Sequence, residues 1–189
     1  MSVAALCLAI LALLLTPGPT NTLIALAAAD RGWAQALRLI PAELAGYMLA
    51  VVPLAWAGAA LVARVPGLAP FVSALAAAWV LVLAVRLWRL AIPGADQGPG
   101  VTAGQVFVTT LLNPKALVIG LVLLPSADPI GPRIAAFALL VVVVAMVWAA
   151  AGAALGQSGK GRATPWLSKV AAGWLAILSA TLAAKALGA

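Results

Sequence analysis

Six long apolar runs separated by short polar stretches cover almost the whole chain, at about 2–29, 36–61, 68–91, 103–124, 133–156 and 165–187. Runs of about 20 apolar residues match the thickness of a bilayer core when coiled as α-helix. They do not alternate polar and apolar in ten-residue segments, as the strands of an outer-membrane barrel would. The pattern predicts helical spans joined by short loops. Two runs are interrupted in their middles. Thr16-Pro17-Gly18-Pro19-Thr20-Asn21 lies inside the first and Asn113-Pro114-Lys115 inside the fourth. Proline removes a backbone donor and clashes with the preceding turn, so each motif predicts a break in the helix at membrane depth. Lipid cannot satisfy the freed N–H and C=O groups, so such a break must be covered by protein or by a wet cavity.

Composition strengthens the membrane reading. Of 189 residues, 66% are hydrophobic and 8% charged, and the mean hydropathy is +1.18. Soluble domains carry about 25% charged residues. The net charge of +7 would suggest nucleic acid in a soluble protein, but here the basic residues sit at the ends of the runs, so no nucleic-acid partner is expected. Arg31, Arg38, Arg86, Arg89, Lys160, Arg162 and Lys169 fall on one side of the predicted layout, against Arg64, Arg133 and Lys185 on the other. The excess of Lys and Arg in cytoplasmic loops then places both termini outside. No cleaved signal peptide is expected, because the N-terminus lacks a basic region and the apolar run resumes after the first break.

The chain divides near its midpoint at the polar, turn-rich linker 93–100, leaving 1–92 and 101–189 with three predicted spans each. At an offset of 95 residues Pro19 meets Pro114, Arg38 meets Arg133 and Trp79 meets Trp174. An odd number of spans per half requires the halves to face opposite ways. The predicted fold is therefore an all-α integral membrane domain of six spans, a 3+3 inverted-topology repeat, the layout of many secondary transporters. Chance coincidence in a low-complexity sequence is the plainer alternative.

At each break a capping residue precedes a proline, Thr16-Pro17 and Asn113-Pro114, the pattern of an N-cap followed by proline at the first helical position. Each new helix start would turn free N–H groups and a positive dipole end into the protein, where two together suit a carboxylate. Gly18 would allow close approach to the backbone, and Thr20 and Asn21 supply donors and acceptors. The alternative is that the prolines only kink the helices for packing. Lys115 adds charge within a span, for substrate or by snorkelling to the interface. Glu43 is the one acidic residue well inside a span, and such a group marks an ion or substrate path. It can pair with Lys115, receive a substrate ammonium, or carry a coupling proton. Tyr47, one turn on, shares its face and is suited either to hydrogen-bonding a ligand or to packing. The candidate substrate-binding residues are therefore Thr16, Pro17, Gly18, Pro19, Thr20, Asn21, Glu43, Tyr47, Asn113, Pro114 and Lys115, with Glu43 also the candidate for proton coupling.

Other chemistry is thin. The chain has no histidine and a single cysteine, Cys7, so no histidine relay, internal disulfide or metal site is expected. Gly159-Lys160-Gly161 fails as a phosphate-binding loop because Ala154 stands where the first glycine belongs and Gly161 where Ser or Thr belongs. No nucleotide or other cofactor is expected, so an ion or substrate gradient must drive any transport. Small residues at Ala42, Gly46 and Ala50, and at Gly152 and Gly156, allow close helix contact within the monomer or in a homodimer.

The motifs TPGPTN at 16–21 and LLNPKALVIG at 111–120, with the six-span layout of the whole chain, resemble the LysE/RhtB family of bacterial amino-acid exporters. The stretch 41–47 (PAELAGY) differs from that family's run of glycines and small residues. The resemblance implies a multi-pass carrier of the bacterial inner membrane, no enzyme, exporting a small amino acid or derivative such as threonine or homoserine, driven by the proton motive force. It places Pro17, Gly18, Pro19, Asn113, Pro114 and Lys115 on the family motifs. A passive channel for small polar solutes is the alternative. An intramembrane enzyme finds no nucleophile–base pair beyond a speculative Ser/Lys.

Overall fold

The computed structural model describes residues 3–58, 64–65, 67–90, 100–124, 130–157 and 165–187. Most of the linker 93–100 and the stretches 125–129 and 158–164, the latter holding Lys160 and Arg162, lie outside the described residues. Those described are helical, without a strand. The helices are α1 (Val3–Leu15), α2 (Pro19–Arg31), α3 (Trp33–Leu37), α4 (Ile40–Pro53), α5 (Leu68–Leu90), α6 (Ala103–Leu111), α7 (Pro114–Val118), α8 (Ile130–Gln157) and α9 (Pro165–Leu187). Two wide π-helical turns extend α4 over Leu54–Gly58 and α7 over Ile119–Leu123. The first begins just after Pro53, which cannot donate to the carbonyl one turn back.

Among the described residues two helical segments, Trp33–Ala57 and Ile130–Gly156, are long and apolar enough to cross a membrane. The number rises to four when each bent pair counts as one span: α1 with α2, bent by 61°, and α6 with α7, bent by 44°. The sequence pattern predicts six spans. The two remaining long helices, α5 and α9, have 23 residues each. Within α9 the apolar stretch Ser168–Ala184 is shorter.

Both predicted breaks are present, and their local chemistry explains them. Pro19 and Pro114, 95 residues apart in sequence, each occupy the first turn of the helix that follows a break. Asn113 is the N-cap of α7, with extended backbone (φ −74°, ψ 123°) and its side chain accepting from the Lys115 N–H. In the first motif the cap differs from expectation. Gly18, not Thr16, is the N-cap of α2 (φ −156°, ψ 174°). A residue preceding proline is pushed out of the helical region, so Gly18 cannot join a helix begun at Pro17, and the helix starts at the second proline. Thr16 instead turns its hydroxyl back to donate to the Ala12 carbonyl at 2.9 Å.

Two apolar clusters hold the bundle together. One draws on α2, α5 and α9, with Val106 of α6 and Ala149 of α8. The other draws on α1, α4, α7 and α8, with Phe137 and Tyr47 ring to ring in an edge-on contact, centroids 5.7 Å apart. Each broken span therefore passes from one cluster to the other at its break. The small-residue stripes are used within the chain: a Cβ on Gly46 would lie 2.8 Å from the Phe107 carbonyl oxygen, and one on Gly152 would lie 2.7 Å from the Ala25 Cα. Gly156 meets Ala29 in the same way. Cys7 is a free thiol.

Candidate functional site

The polar residues of the two breaks come together. Leu14, in the last turn of α1, and Thr16 just beyond it have carbonyls that no following turn covers, because α1 stops at Leu15 and the chain bends before α2 begins at Pro19, while Pro17 and Pro19, three residues on from each, have no N–H to offer. Two side chains take these carbonyls over. Asn21 Nδ2, one turn into α2, donates to Leu14 O at 2.8 Å and to Thr16 O at 3.1 Å. Lys115 Nζ, arriving from the other break, donates to Leu14 O at 3.2 Å and also to Thr16 O. A carbonyl oxygen has two lone pairs, so the four N–H donors match the acceptor capacity of this helix end. The tip of Lys115 lies where a side chain on residue 18 would be: a Cβ on Gly18 would sit 3.2 Å from both Cε and Nζ.

Asn113 joins the same cluster from α7. Its Nδ2 lies 3.3 Å from Thr20 Oγ1 and 3.3 Å from the Tyr47 hydroxyl. Thr20 Oγ1 in turn lies 3.2 Å from Thr110 Oγ1, and Thr110 donates to the Val106 carbonyl at 2.8 Å. Thr20, Asn21, Glu43, Asn113 and Lys115 are all buried, between 1% and 9% exposed. In such surroundings an unmade hydrogen bond is costly, which explains why the polar groups pair so thoroughly across the chain.

Glu43 is the exception. It lies on α4, 3% exposed, and its Oε2 has no hydrogen-bond partner. The expected alternative in which Glu43 pairs with Lys115 is not what the structure shows. The ammonium is held by the α1 carbonyls, and the one ion pair among the described residues joins Arg31 and Asp30 at the surface, 3.7 Å apart.

Of the residues singled out from the sequence, Gly18, Thr20, Asn21, Tyr47, Asn113 and Lys115 meet in this cluster, and Pro19 and Pro114 set the helix starts that position them. Glu43 sits one turn from Tyr47 on the same helix. Thr16 enters through its carbonyl alone, its side chain being exposed. Pro17 is exposed and lines an apolar groove of about 230 Å³ between α2, α8 and α9, beside Trp148 and Trp174. Sequence reasoning overlooked Thr110 and Thr109. Thr109 accepts from Trp79 Nε1 at 2.9 Å and ties α5 to α6. The available signal was a pair of hydroxyls in the last turn before Asn113-Pro114, inside an otherwise apolar run. Among the described residues no cluster of His, Cys, Asp or Glu is placed to hold a metal.

Comparison with known proteins adds no identity: no family model, curated protein or solved structure matches the chain.

Proposed function

We propose that the chain is a secondary exporter of a small zwitterionic amino acid or close derivative, of the LysE/RhtB type, in a bacterial inner membrane. The observation that carries this reading is the meeting of two broken helices, one from each half of the chain, in a buried polar cluster walled by apolar packing. Discontinuous helices near the bilayer midplane are how many carriers build a substrate site. The ligand's two charges suit the two kinds of group present. A carboxylate is matched by Lys115 and the helix starts at Pro19 and Pro114, and Glu43 is the group that can take up and release a coupling proton.

The same reading makes the fold six spans in a 3+3 inverted repeat. Several features support it. Pro19 and Pro114 hold equivalent positions. At about 1.5 Å per residue, α5 and α9 reach roughly 35 Å, enough for a bilayer core. The packing also interchanges under the repeat: α1 and α2 lie on α8, while α6 and α7 lie on α4, and α5 lies on α9. For orientation, Gly100 approaches the Arg31 guanidinium, a Cβ there lying 2.7 Å from Nη2, and Arg86 borders the same surface beside Gln105. These arginines thus gather at one end of the bundle, which we take as cytoplasmic, with both termini outside.

Purified protein in liposomes, loaded with unlabelled amino acids one at a time, tests the function by counterflow of a labelled one. Saturable counterflow with a small neutral amino acid is expected. Glu43→Gln should keep the protein in the membrane while abolishing efflux driven by a proton gradient. Flux without saturation or counterflow would establish a pore instead, and no flux of any amino acid would refute both.

A further inference from the structure

The cluster holds a site that the sequence motifs do not announce. The carbonyls of Leu14 and Thr16 stand at the end of α1, where the helix dipole is negative and where carriers with unwound helices bind cations. Here they hold the ammonium of Lys115, reached across 101 and 99 residues of sequence. We propose that these two carbonyls form a binding site for a primary ammonium group, which Lys115 fills in this conformation and the amino group of the substrate fills in the loaded one.

The hydrogen-bond inventory suits an exchange of this kind. Asn21 Nδ2 covers one lone pair on each carbonyl, and Lys115 covers the other. When Lys115 leaves, each carbonyl keeps only its bond from Asn21, one lone pair on each is left open, and the negative end of α1 loses the charge that faced it. A ligand ammonium brings three N–H groups and a positive charge, so it replaces both bonds at once. The released Lys115 is then free to meet the ligand's carboxylate. Gly18 permits the arrangement, since its missing side chain leaves room for Cε and Nζ. The ligand class follows: a primary amine that carries a carboxylate, and not a quaternary amine, which has no N–H to give. The exchange of substrate for Lys115 rests on the transport reading above, whereas the ammonium site stands on the geometry alone.

Thermal unfolding of purified Lys115→Ala tests the site, with ethylammonium chloride compared against choline chloride and sodium chloride at equal concentration. Ethylammonium should raise the Tm of the variant saturably, by about 5–10 °C at a hundredfold excess over its Kd. Wild type, with the site already filled, should show no difference between the salts. Lys115→Met, which keeps most of the side-chain bulk, should behave like Lys115→Ala. An equal response to choline or sodium in both variants would overturn the proposal, as would recovery of neither variant in any of the three salts. Recovery of a variant in ethylammonium but not in choline would support it. A positive result with no counterflow would leave the ammonium site and remove the transporter. Counterflow with no ethylammonium effect would do the reverse.

Discussion

Gly152 offers the sharpest test of how the half-helix after the first break is held. It faces α2 from α8, and a Cβ added there would lie 2.7 Å from both the Cα and the carbonyl carbon of Ala25, and nearer still to its oxygen. Ordinary carbon contacts lie at about 3.5–4.0 Å. The obstacle is backbone, which cannot rotate away, so the two helices must separate by roughly 1 Å. Overpacking of this kind costs about 1–3 kcal/mol. At about 2–4 °C per kcal/mol for a chain of this size, Gly152→Ala should lower the Tm in detergent by roughly 2–12 °C. Gly173 is the control, because nothing lies within 4 Å of its would-be Cβ. Within a helix, Gly→Ala there should gain up to about 1 kcal/mol of helix propensity and leave the Tm equal or higher. Adding Gly156→Ala to Gly152→Ala should cost less than the sum of the two single changes, since one displacement of α2 relieves both clashes. Because α2 carries Thr20 and Asn21, the displacement should also weaken counterflow. A Gly152→Ala protein as stable as Gly173→Ala would refute this account of the interface.

Two further outcomes are expected. Asn113→Ala removes the cap of α7 and the donor to Thr20 and Tyr47 together, and should cost about 2–4 kcal/mol. Asn113→Asp keeps the cap acceptor and loses only the Nδ2 bonds, so its Tm should fall between wild type and Asn113→Ala; an unchanged Tm in Asn113→Ala would contradict the network. For orientation, Arg38→Cys and Arg86→Cys in a Cys7→Ser background should resist a membrane-impermeant maleimide in intact cells and react once the inner face is opened, and labelling in intact cells would invert the layout.

The membrane class and the two interruptions were legible in the sequence. Both depend on local chemistry: apolar runs of bilayer length, and prolines whose missing N–H groups act on the adjacent turn. Asn113 as a cap was equally local, and the shift from Thr16 to Gly18 follows from the pre-proline restriction once both prolines are weighed together. The partners of the freed groups were a different matter. That Lys115 covers the Leu14 and Thr16 carbonyls, that Thr20 meets Thr110, and that Gly152 and Gly156 seat α2 within the monomer all depend on residues about 90 to 130 positions apart. No period or motif encodes such pairings. They arise because every backbone group released at membrane depth must find a donor or acceptor somewhere in the folded chain, and only the packing of the helices decides which side chain is near enough to supply it.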